Sequence, residues 1–318
     1  TVHVGAQIQE AGSCVMPARL FFDIVRKLPD EMVSITVDHK QQVSIRVGAA
    51  FFQITAMDSE DYPELPDVNG KSGVTMPQSA LKAMISGTIF SVSENQARPI
   101  QTGCLMEVTE DSVTMVAVDS FRLARRTWHT ENAANHTLKF VVPAAGLKEI
   151  ERILEDSDEP DNIPLGPRHL LFSIGASLLV RRLLEGEFID WRRVVPTNCG
   201  TVLTANVAEL TSSIERVSLI ISEKVKSPVR CVFGDNMADF RTANTIGSAH
   251  DTCSIAGNGG ELEIGFNSRY LLDALRVIPS EEVTLELQNG LSPIVFTPCD
   301  KKYDFAYMVL PVRLRSNS

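Results

Sequence analysis

Residues 141–154 read VVPAAGLKEIERIL, an apolar pair and a proline followed by a run with helical spacing. Proline suits the first helical turn because the N–H group that it lacks has no partner there. The signal recurs at Pro17 and Pro77, and asparagine, which caps the same end of a helix, replaces the proline at Asn206 and Asn267. These openings are about 60–66 residues apart, which indicates an internal repeat. The predicted helical runs are Leu20–Leu28, Leu81–Phe90, Leu147–Leu154, Leu210–Ile221 and Leu271–Ile278.

Alternating apolar residues follow the helices and predict antiparallel strand pairs. They occupy residues 33–37 with 43–47, residues 104–108 with 113–117, and residues 283–287, which run into an Asn289-Gly290 hairpin signal. The repeating unit is therefore one helix plus antiparallel strands, which predicts an α+β fold of stacked half-domains with helices on one face of the sheets. Five half-units cannot pair evenly. We expect either an unrelated partner half in the first domain or the loss of about one half-unit at the N-terminus.

The composition favours a cytoplasmic, multi-domain protein, since 44% of the 318 residues are hydrophobic and the apolar runs are too short to cross a membrane. The first ten residues lack the pattern of a signal peptide. The six cysteines form no CxxC pair, and the six histidines are isolated from one another. This pattern predicts reduced thiols, no bound metal and no cofactor.

The net charge of −10 argues against a protein that holds nucleic acid by bulk electrostatics. Basic residues nevertheless recur on all five predicted helices, and three of these helices carry pairs at same-face spacing. One interpretation is a shared surface for an anionic partner, and the other is a solvated helix face with charges of both signs. The residues are Arg19, Arg26, Lys82, Lys148, Arg152, Arg216, Arg269 and Arg276.

The most enzyme-like cluster is Asp119, Ser120 and Arg122, at a predicted strand end. A hydrolase or transferase that used these side chains would need a positioned base, and the sequence offers none. We therefore keep an enzyme only as an alternative.

The same cluster carries a family resemblance. Residues 116–124, VAVDSFRLA, resemble the V-A-T-D-G-H-R-L-A motif of the bacterial sliding clamps, the DNA polymerase III beta subunits. Four further segments resemble clamp segments in the same order: RPIQTG at 98–103, FIDWRRVVP at 188–196, IGFNSRYLL at 264–272 and YMVLPVRL at 307–314. Together they span nearly the whole chain.

The resemblance implies three domains of two half-units each, and two subunits that close head-to-tail into a ring whose helices line a hole around duplex DNA. It places a partial domain I at 1–72, domain II at 73–197 and domain III at 198–318. It also implies a processivity factor without a catalytic site. The partners would be double-stranded DNA, without sequence preference, and the replicative polymerase, the clamp loader and repair proteins through short peptides. A truncated or divergent clamp that binds peptides without closing a ring is the alternative.

The resemblance further implies three sets of site residues. The peptide groove would contain Val118, Ser120, Phe121, Arg122, Leu123, Ile189, Arg193, Val194, Leu291, Ser292, Met308, Val309, Leu310, Pro311, Val312 and Arg313. The surface facing DNA would contain the eight basic residues above and Arg98. The dimer interface would join Ile24, Phe52 and Ile54 to Leu219 and Ile220.

Four groove positions depart from the family pattern, namely Gln101, Ser120, Phe121 and Ile189, which predicts a shifted peptide preference. The tail Arg315–Ser318 would lie beside the groove and cover part of it.

Overall fold

The computed structural model describes residues 2, 4–60, 62, 72–130, 134, 137–166, 168–174, 177–222 and 227–314, so the predicted tail lies outside the described residues. The chain divides into two compact units, a smaller one within His3–Pro66 and a larger one within Asp67–Ser318.

The elements are those of an α+β protein. The helices are α1 (Ala18–Val25), α2 (Gln78–Ser86), α3 (Ala144–Ile153), α4 (Val207–Ser218) and α5 (Ser268–Leu275). The strands are β1 (Ser34–Val37), β2 (Gln42–Val47), β3 (Ala50–Thr55), β4 (Ser72–Pro77), β5 (Gly103–Val108), β6 (Ser112–Val118), β7 (Arg122–His129), β8 (Leu138–Pro143), β9 (Pro160–Leu165), β10 (His169–Ile174), β11 (Ser177–Arg182), β12 (Thr201–Asn206), β13 (Val229–Ala243), β14 (Ser248–Phe266), β15 (Glu282–Leu287), β16 (Ile294–Pro298) and β17 (Phe305–Val309). Three short 3-10 helices cover Ile89–Ser91, Pro99–Thr102 and Trp191–Arg193.

All five predicted helices are present, and each starts directly after its predicted opening proline or asparagine. Pro17, Pro77 and Pro143 are the N-caps of α1, α2 and α3. The Asn206 side chain accepts a hydrogen bond from the Glu209 N–H at 3.0 Å, and the Asn267 side chain accepts one from the Arg269 N–H at 3.0 Å. The helices nevertheless end earlier than the apolar runs suggest. Leu28 and Phe90, the last residues of two of these runs, pack against the cores from a bend after α1 and from the 3-10 helix after α2.

The smaller unit is one half-unit of the predicted kind. Its sheet has the antiparallel order β1-β2-β3, with Ile35 opposite Ile45 in the predicted hairpin. The core consists of Val43, Ile45, Ile54 and Ala56, and α1 packs against it through partly buried residues.

The larger unit contains a four-stranded sheet in the order β11-β10-β9-β4 and a ten-stranded sheet in the order β13-β14-β12-β15-β16-β17-β7-β6-β5-β8. The neighbouring strands of both sheets whose pairing is resolved are antiparallel. Strands β17 and β7 pair in the middle of the large sheet, with Tyr307 opposite Ala124 and Val309 opposite Arg122. This pairing joins the strands of the second and third predicted domains into one sheet.

The helices of the larger unit pack in pairs, α2 with α3 and α4 with α5. Each presents one buried stripe to a sheet, as Leu210, Ile214 and Val217 do on α4. Burial of one such side chain contributes about 1.5–3 kcal/mol. The described core residues here form three clusters, one under each helix pair and a third between the large sheet and the segment after β11.

Two local features differ from expectation. The Asn289-Gly290 turn is present, but its central residues are Gly290 and Leu291, because the Ser292 N–H donates to the Asn289 carbonyl at 3.1 Å. The glycine-rich residues 257–260 have a composition more typical of a turn than of a strand, yet they lie inside the long strand β14 opposite a bulged part of β13.

Candidate functional site

Four of the predicted groove residues have buried side chains. Val118, Leu123 and Met308 are at most 4% exposed and pack with Phe188 in the third core cluster. Val309 is 1% exposed and belongs to the core under α4 and α5. Since strands alternate their faces, consecutive residues of β17 enter different cores. If the predicted groove is present, these four side chains would lie beneath its surface and would not form its exposed sides.

Five of the groove candidates are exposed apolar side chains, and they come from four segments of the chain. One side chain follows β6, one precedes the 3-10 helix Trp191–Arg193, two follow β17, and one lies on the turn before β16. Large apolar side chains exposed in one patch are typical of an interaction site, which is what the family resemblance implies for these residues. The residues are Phe121, Ile189, Leu291, Leu310 and Val312, with exposures from 36% to 75%.

A tight turn fixes the first of these segments. One carboxylate oxygen of Asp119 accepts hydrogen bonds from the N–H groups of Phe121 at 2.7 Å and Arg122 at 2.9 Å. The Asp119 N–H in turn donates to the Arg122 carbonyl at 3.0 Å. The Leu310 N–H donates to the Phe121 carbonyl at 2.8 Å, which fastens the segment after β17 to this turn.

The Arg122 side chain lies under the turn and pairs with two carboxylates. It is 10% exposed and contacts Asp119 at 3.0 Å and Asp273 at 2.6 Å. The guanidinium carbon lies 4.4 Å from the centre of the Tyr270 ring, on which Phe121 also stacks. Arg122 therefore joins the turn to α5.

The same contacts argue against the enzyme alternative. Both carboxylate oxygens of Asp119 are occupied by the turn and by Arg122. The exposed Ser120 hydroxyl has no hydrogen-bond partner among the described residues, so no base activates it. The cluster is a structural turn.

The remaining groove candidates range from half-buried to exposed. Arg193 is 87% exposed and pairs with Asp190 at 3.0 Å, whereas Val194 is half-buried on the third core. Ser292 and Pro311 are half-buried and Arg313 is exposed. Gln101, one of the departures from the family pattern, is half-buried, and its side-chain oxygen lacks a hydrogen-bond partner within the described chain.

The nine basic candidates fall into two groups. Three form ion pairs within the protein: Lys82 with Asp156 at 2.9 Å, Arg276 with Glu215 at 2.8 Å, and Arg216 with Asp251. The other six are exposed and form no ion pair within the described residues; they are Arg19, Arg26, Arg98, Lys148, Arg152 and Arg269. Sequence spacing identified the basic residues, but it did not reveal which of them have acidic partners.

The interface candidates differ in accessibility. Leu219 is 83% exposed at the end of α4, and Ile220 is half-buried beside Asn244, which donates to the Ile220 carbonyl at 2.9 Å. Ile24 and Phe52 are half-buried, but Ile54 is 5% exposed within the core of the smaller unit. Phe52 and Ile54 share one face of β3, so the alternation in the sequence could not show that Ile54 alone is fully buried.

The described residues contain no cluster of His, Cys, Asp and Glu arranged to hold a metal ion. Burial raises the pKa of the Cys104 thiol to about 12, so this cysteine stays protonated. No helix in the described ranges combines the length and apolarity that crossing a membrane requires.

Comparison with known proteins places these features in a family. Sequence models of the DNA polymerase III beta subunit match along the whole chain: the N-terminal domain at residues 1–66, the central domain at 75–190 and the C-terminal domain at 192–313. The N-terminal match does not bear out the expectation that half of the first domain is absent.

Individual relatives and solved structures support the same family assignment. The beta sliding clamp of Staphylococcus epidermidis is 31% identical over 309 residues, which cover 96% of this chain and 81% of the relative. A putative DNA polymerase III beta subunit from Eubacterium rectale superposes with a TM-score of 0.93 at 32% identity, over 98% of this chain and 84% of the other. A Pseudomonas aeruginosa sliding clamp bound to griselimycin superposes with a TM-score of 0.89 at 28% identity, over 96% of this chain and 84% of the other.

The helices and antiparallel sheets match those of DNA sliding clamps across three domains, so the fold defines a DNA sliding clamp. Such a clamp is an accessory processivity factor that has no catalytic activity of its own. The chain belongs to the bacterial DNA polymerase III beta subunit family.

Proposed function

We propose that two copies of this chain close head-to-tail into a ring around double-stranded DNA and slide along it. The observation that carries this proposal is the set of exposed basic side chains without ion-pair partners in the described chain. Arg19, Lys148 and Arg269 lie on α1, α3 and α5, on separate copies of the repeated unit. Repetition of such residues on equivalent helices supports a surface that follows a phosphate backbone.

The charge balance suits sliding better than tight binding. Each phosphate contact adds affinity that falls with salt, and a protein with a net charge of −10 adds no long-range attraction to DNA. A ring is held on DNA by its topology and needs only weak contacts without base readout. The ion pairs of Lys82, Arg216 and Arg276 reduce their contribution further.

The second part of the proposal is a groove that binds short peptides of the replicative polymerase, the clamp loader and repair proteins. Phe121, Ile189, Leu310 and Val312 would contact apolar side chains of the peptide, over the floor formed by Val118, Leu123 and Met308. Leu291, on the turn before β16, would extend this surface. Because griselimycin binds a P. aeruginosa clamp, we propose that this chain binds it in the same groove, where it provides a probe.

The domain limits 1–72, 73–197 and 198–318 stay part of the proposal. Within the larger unit, the β7–β17 pairing would fix domains II and III to each other, since both belong to one sheet. The groove would then be a rigid feature of the subunit, formed where these domains meet.

One observation favours the alternative of a clamp that does not close. Ile54, one of three residues proposed for the interface in domain I, is buried in its own core, which leaves Ile24 and Phe52 to contact Leu219 and Ile220. Light scattering over a dilution series tests closure directly. A dimer mass at micromolar concentration supports the ring, and a monomer mass at all concentrations supports the alternative.

A further inference from the structure

We propose that Glu107 is a positioning residue for the peptide groove: from outside the groove, it holds the segment that forms one wall. We call residues 188–195 the strap; it carries Ile189, Arg193 and Val194. The inference rests on the proposed groove, and it assigns to Glu107 a role that its place on β5, away from every groove candidate in sequence, does not suggest.

The strap sits on the large sheet through an apolar underside. Phe188 is 4% exposed in the third core cluster, and Trp191, Val194 and Val195 pack against the same cluster. Apolar packing of this kind is not directional. This packing holds the strap against the sheet, but the exact position of the strap depends on polar contacts.

Glu107 provides those contacts at a single point. One of its carboxylate oxygens accepts hydrogen bonds from the Trp191 indole N–H at 3.2 Å and from the Arg192 guanidinium at 2.8 Å. Its other oxygen lies 3.3 Å from the Lys139 ammonium on β8. A carboxylate that binds two consecutive strap residues and a neighbouring strand fixes both the position and the rotation of the strap.

The environment of Glu107 strengthens these bonds. Its side chain is only 13% exposed. Burial alone would raise the pKa of Glu107, but the hydrogen bonds from Arg192 and Trp191 outweigh burial and keep the pKa below the ordinary value. The carboxylate is therefore ionised at neutral pH, and hydrogen bonds to a charged and partly desolvated group are stronger than those between neutral groups.

The strap also contacts strand β7 through Arg125. The Arg125 guanidinium carbon lies 5.9 Å from the centre of the Trp191 ring, and the same guanidinium pairs with Asp304 at 2.6 Å. Asp304 directly precedes β17, whose far end leads to Leu310 and Val312. A shift of Trp191 would therefore also disturb its contact with Arg125.

The test is a double-mutant cycle on Glu107 and Arg192, with labelled griselimycin as the probe and fluorescence polarisation as the readout. Glu107→Gln keeps the shape of the side chain and removes its charge. Arg192→Gln removes a strap donor whose side chain is 60% exposed, so this variant should fold normally. We expect each single variant to bind about fivefold more weakly, and the double variant no more weakly than either one, because both changes break the same contact.

Two controls separate positioning from a general loss of stability. Glu185→Gln changes a carboxylate that is 62% exposed and whose ion-pair partners among the described residues are exposed arginines. The affinity of this variant for griselimycin should match that of the parent protein. In a Trp128→Phe background, Trp191 is the one remaining tryptophan of the two in the chain. Its emission should shift to longer wavelength in Glu107→Gln while the urea midpoint of unfolding still indicates a fully folded protein.

The outcomes are distinguishable. Equal affinities of the parent protein and Glu107→Gln, or losses that add in the double variant, would overturn the role of Glu107 and leave the groove intact. No binding of griselimycin by the parent protein would overturn the groove and, with it, this role. The inference is supported if the losses of griselimycin affinity do not add in the double variant and the Trp191 emission of Glu107→Gln shifts to longer wavelength.

Discussion

Arg122 and Asp273 form an ion pair of 2.6 Å between the turn after β6 and helix α5. Their side chains are 10% and 23% exposed, so both charges are largely shielded from water. Removal of one partner from such a pair leaves the other charge desolvated without compensation, and this loss costs more than the intact pair contributes.

The first prediction follows from this pair. Asp273→Asn should lower the free energy of unfolding by about 1–3 kcal/mol, because Arg122 keeps only Asp119 as a charged partner. Urea denaturation measures the change. Asp190→Asn is the matched control, since its partner Arg193 is 87% exposed, and the expected loss is below about 0.5 kcal/mol. Equal effects of the two substitutions would contradict the account.

The second prediction concerns Gly265, where the segment after β17 passes close to the backbone. An added Cβ would lie 2.5 Å from a methyl carbon of Leu314 and 2.7 Å from the Val312 carbonyl oxygen. The Val312 N–H donates to the Gly265 carbonyl at 2.7 Å, so the segment cannot move away without the loss of that bond. Gly265→Ala should therefore displace Val312 and weaken griselimycin binding about tenfold.

Gly200→Ala is the control, because nothing lies within 4 Å of the Cβ that it would add. Its affinity for griselimycin should equal that of the parent protein. An unaltered affinity of Gly265→Ala would show that the segment 310–314 is not a wall of the groove.

The third prediction is a pH dependence that arises from Asp304. Burial raises the pKa of Asp304, but the hydrogen bond and charge of Arg125, with His129 nearby, outweigh burial and place the pKa below the ordinary value of 3.8. A carboxyl group whose pKa is lowered by folding stabilises the folded state above its unfolded pKa. That contribution disappears as the pH falls through the folded-state value.

Asp304→Asn should thus be less stable than the parent protein by about 1 kcal/mol at pH 7, and the difference should shrink below about pH 4. Urea denaturation at both pH values measures it. Glu94→Gln, at an exposed site without an ion pair in the described residues, should change stability little at pH 7. If the stability difference between the parent protein and Asp304→Asn grew as the pH falls, the proposed role of the Asp304 carboxylate would be contradicted.

The fourth prediction tests the basic helix residues. Simultaneous reversal of Arg19, Lys148 and Arg269 to Glu should shorten the time on circular DNA several-fold and leave griselimycin affinity unchanged, since these residues contact phosphate in the proposed ring. Reversal of Arg168, Arg182 and Lys301 changes the net charge equally at sites outside the five helices. Equal losses in both triple variants would mean that net charge, and not position, governs retention.

Sequence patterns predicted the parts of this fold that depend on local chemistry. The five helix starts were predictable because Pro143 and Asn206 act within one turn of their own position. The β1–β2 and β5–β6 hairpins were predictable because apolar residues recur at every second position in them. Their burial was not predictable: β5 and β6 are buried on both faces, whereas β1 is exposed. The pairing of β7 with β17 joins residues far apart in sequence, and no local pattern indicates it.

The candidate groove was predicted only in outline. A family motif cannot distinguish the buried Met308 from the exposed Leu310, because that difference depends on how β17 sits in the large sheet. It also cannot show that Arg122 points toward Asp273, which belongs to another predicted domain. Glu107 was missed altogether, since its partners Trp191 and Arg192 are distant in sequence.

Retention on closed circular DNA before and after linearisation tests the central claim most directly. The protein is placed on a nicked circle by the clamp loader, separated from free protein by gel filtration, and followed after a single restriction cut. The account predicts that the protein stays on the circle in salt that abolishes simple phosphate contacts, and leaves within minutes once the DNA has ends. Equal loss from circular and linear DNA would contradict a ring that encircles the duplex.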